Sequence, residues 1–256
     1  MQRLSVYWLG YVNDEDNSLR LTDIPPEVNI INLAFAVTCP SPSTPSQDTI
    51  TLDLLTSKHS KDEIMAGIKF LQSRGQKVCM SIDGNPNWPG HPGGWTNLNP
   101  QEFALNVKRI AIDEWGCDGI DLDNEADEVP GQNFVDMIKE LRREIGEDKI
   151  ISLPVYMGTG RDAFLSLVKD DISFVCTMAY WNGLQEQIYL CSEYSELVGD
   201  DKVFIGVANA ANPGQDTDFS ILPELAKYSL KGGMMLWQGN FKSAGEWVEA
   251  IEKNLG

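Results

Sequence analysis

Eight short apolar runs recur along this chain, and most of them are followed by a segment with helical periodicity or by a long loop. Runs rich in Val, Ile and Leu without polar alternation are typical of strands that are buried on both faces of a parallel sheet. Such regular alternation of strand and helix predicts an α/β fold. The predicted strands span residues 4–9, 28–37, 77–83, 118–125, 149–157, 171–180, 202–208 and 233–237.

A sheet closed on itself is favoured over a doubly wound open sheet. No Gly-x-Gly-x-x-Gly turn follows the first strand, so nothing indicates the dinucleotide crevice of the open fold. A chain of 256 residues also suits an eight-stranded α/β barrel. We therefore predict one domain over 1–256, a (β/α)8 TIM barrel. The short connection from Ala208 to Gly233 leaves no room for an inserted α+β subdomain.

Several predicted helices begin at recognisable capping residues. Ser60 with Glu63 forms a capping box, Asn99 precedes a helix that opens with a proline, and Ser243 is expected to cap the last helix together with a glutamate. A further helix is expected at about 131–145, and shorter ones at 162–169, 185–198 and 220–230. The polar segments 13–23 and 39–47 are predicted loops.

The charge balance restricts the partners that this chain can have. A net charge of −18 argues against nucleic acid and anionic membranes, because both favour clustered Lys and Arg. A chain with this net negative charge is better suited to bind a neutral ligand. No apolar run is long enough to cross a bilayer, and the first residues lead into a strand rather than a signal peptide. We expect a soluble monomer, either secreted or cytoplasmic.

No metal or organic cofactor is predicted. The two histidines, His59 and His91, and the widely spaced cysteines form no zinc-type pattern. Buried free thiols are the expected state of all five cysteines, which are Cys39, Cys79, Cys117, Cys176 and Cys191. Ser81 as a nucleophile would need one of the histidines delivered from a loop, which makes a serine-histidine site the weaker alternative.

The fourth predicted strand carries a row of acids, DGIDLDNE at positions 118–125. Side chains two apart on a strand share a face, so Asp121, Asp123 and Glu125 would lie about 7 Å from neighbour to neighbour, with Asp118 on the opposite face. Crowding disfavours the ionisation of all three carboxyl groups, so at least one should retain or share a proton near neutral pH. A retained proton is what a general acid needs.

The same row admits three other interpretations. A solvated acidic loop is disfavoured because Ile120 and Leu122 alternate with the acids in the manner of a strand. A calcium-binding loop fails on spacing, because Ala126 and Gln132 stand where a glycine and a glutamate are required. A barrel that keeps these carboxylates without catalysing a reaction stays open.

The row resembles the DGxDxDxE signature of glycoside hydrolase family 18, which includes chitinases and endo-β-N-acetylglucosaminidases. Other segments follow in the order of that family, namely INLAFA at 31–36, KVCMSIDG at 77–84, MAY at 178–180 and GGMMLW at 232–237. KVCMSIDG is similar to the SxGG element of the family, and MAY to its MxY element. Asp83 replaces the first glycine of SxGG, a departure that we expect to alter the cleft wall.

The resemblance implies retaining hydrolysis in which the N-acetyl group of the sugar attacks the anomeric carbon. Glu125 would protonate the glycosidic oxygen and later activate water. Asp123 would orient the acetamido N–H and stabilise the oxazolinium-like intermediate, with Asp121 sharing a proton behind it. Tyr180 would bind the acetamido carbonyl oxygen, and Trp237 would form the floor under the sugar.

The resemblance also provides further candidates for substrate binding. Tyr7, Phe35 and Asn182 are candidates for the pocket wall, and Met178 belongs to the MxY element. Tryptophans in or beside the probable top loops could stack on sugar faces, namely Trp88, Trp95 and Trp181. For Phe35, core packing is the favoured interpretation.

The expected partner is an oligo- or polysaccharide that contains N-acetylglucosamine. Chitin or chitooligosaccharides are the preferred substrate, and the chitobiose core of N-glycans is the alternative. Asn124 does not decide between them. A third interpretation is an inactive, lectin-like barrel, because fold alone does not determine function.

Overall fold

The computed structural model describes residues 3–12, 19–41, 49–84, 94–125, 131–155, 158, 160–209, 217–229, 232–239 and 243–255. In chain order, the strands are β1 (Arg3–Leu9), β2 (Ile30–Cys39), β3 (Thr49–Thr51), β4 (Lys77–Asp83), β5 (Gly119–Asp123), β6 (Ile150–Val155), β7 (Phe174–Thr177), β8 (Val203–Ala208) and β9 (Gly233–Trp237). All eight predicted strands are present, two of them with the predicted bounds.

The parallel strands close into a barrel, as predicted. The sheet order is β1-β9-β8-β7-β6-β5-β4-β2-β3, and an additional β1–β2 pairing completes the ring. β3 pairs antiparallel with the end of β2 and was not predicted from the sequence. A strand of three residues, Thr-Ile-Thr, is too short to display a period, so tertiary pairing decides its conformation.

Helices pack on the outside of the barrel. They are α1 (Lys61–Ser73), α2 (Pro100–Val107), α3 (Gln132–Ile145), α4 (Leu165–Val168), α5 (Leu184–Val198), α6 (Leu222–Tyr228) and α7 (Ala244–Glu252). α2 continues as a π-helix over Lys108–Glu114. A 3₁₀ turn at Leu21–Asp23 lies in the predicted loop 13–23. Most of the other predicted loop, 39–47, lies outside the described residues.

Two of the three predicted helix caps are confirmed. Ser60 and Glu63 form the reciprocal capping box of α1, and the Asn99 side chain accepts a hydrogen bond from the Glu102 N–H at 3.1 Å. The predicted cap at Ser243 is wrong, because this residue has helical backbone angles (φ −67°, ψ −14°) and makes no capping bond. A capping side chain normally requires an extended backbone. The Ser243 hydroxyl instead accepts a hydrogen bond from the Asn209 side chain at 2.9 Å.

Alternation along the strands produces two apolar layers. One lies between the sheet and the helices, and the other fills the barrel with side chains that include Tyr7, Phe174, Phe204 and Met235. At the amino-terminal end of the barrel, the Arg3 guanidinium lies over the rings of Phe174 and Phe204, which stack with centroids 4.3 Å apart. The stacked rings and the guanidinium over them therefore close this end of the barrel.

All five cysteines are free, as predicted, and all except Cys39 are buried. Burial raises the pKa of Cys117 to about 12 and that of Cys79 and Cys176 well above the usual value. These thiols are therefore protonated near neutral pH and unreactive.

Candidate active site

The middle of the acid row lies on β5, and the predicted alternation of its side chains holds there. Ile120 and Leu122 belong to the apolar layer under the helices, whereas Asp121 and Asp123 are buried on the opposite face, inside the barrel. The β4–β5 ladder pairs Ser81 with Asp121 and Asp83 with Asp123. Because the strands are parallel and in register, side chains of the same parity on β4 and β5 face the same interior.

Asp118 precedes β5, away from the acids inside the barrel. Its carboxylate accepts hydrogen bonds from the Lys77 ammonium at 2.9 Å, the Gln72 side chain at 2.9 Å and the Val78 N–H at 3.1 Å. Burial alone would raise the pKa of Asp118, but these donors outweigh it, so that the pKa is lowered. Asp118 therefore links α1, β4 and β5 and has no part in the pocket.

Asp121 is fully buried and accepts hydrogen bonds from three hydroxyl groups. Oδ2 accepts from the Tyr7 hydroxyl at 2.8 Å and from Ser81 Oγ at 2.7 Å, and Oδ1 accepts from Ser152 Oγ at 2.6 Å. Burial raises the pKa of Asp121 to about 6, against the opposing effect of the three hydroxyl donors. Asp121 therefore lies under the pocket as a buried carboxyl group held by three hydroxyl donors.

Asp123 is the next acid towards the carboxyl end of the barrel. It is buried, and its Oδ1 atom has no hydrogen-bond partner among the described residues. Burial raises the pKa of Asp123 well above its usual value, and the negative charges of Glu125, Asp83 and Asp121 raise it further. No hydrogen bond in the described part of the chain joins Asp121 to Asp123, so proton sharing between them stays a prediction.

Glu125 lies just beyond the end of β5, at the rim of the barrel. The residue is exposed to solvent and lines the pocket described below. Burial raises the pKa of Glu125, the charge of Asp83 adds to this shift, and the positive charge of Arg161 opposes it. A solvent-accessible carboxyl group with a raised pKa can donate a proton to a bound ligand.

The carboxyl ends of the strands enclose a pocket of about 260 Å³. It is lined by Tyr7, Asp123, Glu125, Pro154, Met178, Tyr180, Trp181 and Trp237. The structure thus brings together in one pocket most of the site residues predicted from the sequence. Asp121 lies in the layer below it.

Aromatic rings form one side of this pocket. Trp237, at the end of β9, packs edge-to-face against Tyr7 with centroids 5.3 Å apart. Phe35 stacks behind Trp237 at 5.8 Å, and Tyr11 stacks on Phe35 at 6.4 Å. The buried Phe35 therefore supports Trp237 from within the core.

A second aromatic pair lies at the end of β7. The Tyr180 and Trp181 rings are nearly perpendicular, at 86°. Tyr180 is largely buried, whereas Trp181 is 57% exposed. Of these two pocket residues, Trp181 thus presents its indole to solvent.

Three of the predicted substrate contacts are not found in the pocket. Phe35 is 3% exposed and does not line it. Asn182 does not line the pocket either. Its N–H donates a hydrogen bond to the Ala179 carbonyl, and its carbonyl accepts one from the Gln187 side chain. Trp95 is buried and packs edge-on against Phe134 at 5.2 Å, because its loop folds inward over the helices. Trp88 lies outside the described residues.

Gly84 adjoins the buried Trp95. A Cβ at this glycine would lie 1.8 Å from Trp95 Nε1, so the indole occupies the space that a side chain would need. The second glycine of the segment resembling SxGG is therefore required for packing.

Sequence reasoning missed several residues that surround the acids. Arg161, in the turn after β6, is buried and donates to the Asn124 carbonyl at 3.1 Å and to Asp162 at 3.0 Å. Ser152, Pro154 and Tyr11 were also not singled out. Their position in the sequence could have identified them, because each of these residues lies on or just after a predicted strand.

Metal binding finds no support in the part of the chain that the structure describes, where no group of three or more His, Cys, Asp or Glu side chains could hold an ion. Likewise, no helix within the described ranges has the length and apolar character that a transmembrane span requires.

The comparisons with known proteins match chitinases and endo-β-N-acetylglucosaminidases. The family model for the endo-β-N-acetylglucosaminidase EndoS TIM-barrel domain matches residues 7–219, which include the acid row and Tyr180. The exochitinase 1 of Streptomyces olivaceoviridis is 26% identical over 205 aligned residues, which cover 64% of this chain. The chain spans only 33% of the length of that protein.

Solved structures share the same barrel. A family GH18 chitinase from Pseudoalteromonas aurantia superposes with a TM-score of 0.77 at 20% identity, covering 99% of this chain and 100% of that one. An endo-β-N-acetylglucosaminidase from Cordyceps militaris superposes with a TM-score of 0.66 at 16% identity, covering 98% and 90% of the two chains. At these identities the likeness establishes the fold.

Proposed function

Because this chain belongs to glycoside hydrolase family 18, as a relative of the EndoS TIM-barrel domain, we propose that it cleaves β-1,4-linked N-acetylglucosamine with retention of configuration. The observation that carries the proposal is the arrangement of two acids in one pocket. Glu125 is accessible at the rim, and the buried Asp123 beneath it has an Oδ1 atom with no protein partner among the described residues.

In the first step, Glu125 is the general acid. As the bond from the anomeric carbon to the glycosidic oxygen breaks, the Glu125 carboxyl proton passes to that oxygen, and the acetamido carbonyl oxygen of the same sugar bonds to the anomeric carbon. The raised pKa of Glu125, caused by burial and by the Asp83 charge, supports this role because the acid has to be protonated when substrate binds.

Asp123 and Tyr180 are suited to hold the acetamido group. Asp123 would accept the acetamido N–H at its open Oδ1 atom and stabilise the positive charge of the cyclic intermediate. Tyr180 keeps its proton, because burial and then the Asp123 charge raise the pKa of its hydroxyl, so it can donate to the acetamido carbonyl oxygen. Asp121 lies below Asp123, held by three hydroxyl donors.

In the second step, water attacks the anomeric carbon and the bond to the acetamido oxygen breaks. Glu125, now ionised, accepts the proton of that water, which regenerates the acid and yields the sugar with its original configuration. Trp237 would form the apolar floor under the reacting sugar, fixed by Tyr7 and Phe35 behind it.

We propose chitooligosaccharides as the substrate. The exposed indole of Trp181 beside the pocket offers a face on which a neighbouring sugar can stack, which favours an extended oligosaccharide. The chitobiose core of N-glycans is the second candidate, favoured by the match to the EndoS domain.

The deciding experiment uses the purified chain with N-acetylglucosamine oligosaccharides and, separately, with a high-mannose glycopeptide, followed by mass spectrometry. Shortened oligosaccharides would support chitooligosaccharide hydrolysis. A peptide that retains a single N-acetylglucosamine would support the glycan substrate instead. Binding of either compound without any product would contradict hydrolysis and favour a lectin-like protein, with Glu125→Gln as the inactive control.

A further inference from the structure

Asp83 brings a further carboxylate to the inside of the barrel. It ends β4, is 4% exposed and pairs in register with Asp123 on β5, where the Gly84 N–H donates to the Asp123 carbonyl at 3.1 Å. Ser81, two residues earlier and on the same face, donates to Asp121, which shows that this face of β4 is directed at the acid row. Asp83 does not line the pocket, so any effect on a bound sugar has to pass through its neighbours.

Arg161 approaches the acids from the other side. Its guanidinium donates to the carbonyl of Asn124, the residue between Asp123 and Glu125, and forms a buried ion pair with Asp162. Asp162 in turn accepts a hydrogen bond from the Tyr194 hydroxyl at 2.6 Å. The positive charge is therefore held in place by α5 and joined directly to the chain segment that carries the acid.

Among the residues that the structure describes, the charged and titratable groups around Glu125 come from five segments. They are Asp83 from β4, Asp123 and Asp121 from β5, Arg161 from the turn after β6, Tyr180 from the end of β7 and Tyr11 from the turn after β1. Burial raises the pKa of both tyrosines, so they stay neutral across the pH range of interest. Among the groups just named, the acids disfavour ionisation of Glu125, and Arg161 is the one cation that favours it.

We propose that Asp83 is a positioning residue that favours the protonated form of Glu125, and that Arg161 opposes it, so that together they set the upper pH limit of the acid step. The proposal rests on the hydrolytic function proposed above. Its physical basis is that a like charge nearby disfavours ionisation and an opposite charge favours it. The glycine to which Asp83 corresponds in the SxGG element would carry no such charge, so the effect of Asp83 on the ionisation of Glu125 is a feature of the present chain.

The test compares charge-neutral variants of both residues. Asp83→Asn keeps the shape and removes the charge. Arg161→Gln is made together with Asp162→Asn, so that no buried charge loses its partner. Glu246→Gln, which removes one exposed charge from α7, is the matched control. For each protein the pH dependence of kcat/KM is measured, and the Glu125 carboxyl is titrated by ¹³C NMR, its signal assigned by its loss in Glu125→Gln.

We expect Asp83→Asn to lower the midpoint of the alkaline limb and of the Glu125 titration by about one pH unit. The double variant should raise both midpoints, and Glu246→Gln should leave them in place. Midpoints that do not move, or that move in the same direction in both variants, would overturn the proposal. So would a loss of kcat in Asp83→Asn with an unchanged Glu125 titration.

The NMR titration separates this proposal from the proposed function. If the chain hydrolyses no substrate, the function fails, yet opposite shifts of the Glu125 midpoint would still support control by Asp83 and Arg161. Conversely, if the chain hydrolyses its substrate but the Glu125 midpoint does not move in either variant, the proposed function stands and the proposed influence of Asp83 and Arg161 is contradicted.

Discussion

Asp118 and Asp123 lie five positions apart at the two ends of one short strand, yet their surroundings are opposite. Asp118 faces three donors, one of them an ammonium group, and its pKa is lowered because these donors outweigh the effect of burial. Asp123 is buried among other carboxyl groups with an open oxygen atom, and its pKa is raised. A satisfied carboxylate serves stability, whereas a crowded and unsatisfied one is poised for chemistry.

The largest effect should come from the end of the row. Glu125→Gln retains the shape of the side chain and removes the transferable proton, so kcat should fall by about 10³-fold or more. Sugar binding, measured by calorimetry, should persist. Turnover within a few-fold of the unmodified protein on a chromogenic N-acetylglucosaminide would contradict the role of Glu125.

Asp123→Asn should have the next largest effect. The amide cannot supply the negative charge for the cyclic intermediate, so we expect kcat to fall roughly 100-fold. Thermal stability should not decrease, because the substitution removes a buried group whose charged form is disfavoured. An unchanged kcat would contradict participation of the substrate acetamido group.

Asp118→Asn should have the smallest effect on activity and a measurable effect on stability. Loss of the charge-assisted bonds to Lys77 and Val78 should lower the free energy of unfolding by about 1–2 kcal/mol at pH 7, with kcat/KM unchanged. A clear loss of activity would break the contrast between the two ends of the strand.

The pH dependence of the Asp118 contribution has a definite sign. Because the folded-state pKa of Asp118 is lowered, its stabilisation is fully present above the unfolded-state pKa, which is about 3.9. It is lost as the pH falls below that value. Unfolding of the original protein and of Asp118→Asn should therefore converge in acid, which denaturant titrations at several pH values would measure.

Much of the fold was predictable because its signals are local. The strands of a parallel barrel are continuous apolar runs, and the caps at Ser60 and Asn99 depend on contacts within one turn. β3 and the cap at Ser243 were missed or mistaken because pairing with distant residues decided them.

The candidate site divides in the same way. The presence of Asp121 and Asp123 on one face follows from the two-residue period of a strand. The pocket positions of the residues after β7 and at the end of β9 follow from the position of strand ends in a barrel. The burial of Trp95 depends on the path of a loop over α2 and α3, which no local period encodes.

The sequence by itself therefore determined the barrel and the inward parity of Asp121 and Asp123, because these follow from periodicity along single segments. Only the tertiary structure decided that Asp83 lies beside Asp123, that Arg161 holds the Asn124 carbonyl and that Phe35 supports Trp237. These contacts join residues that are far apart in the chain, and strand register and loop path bring them together.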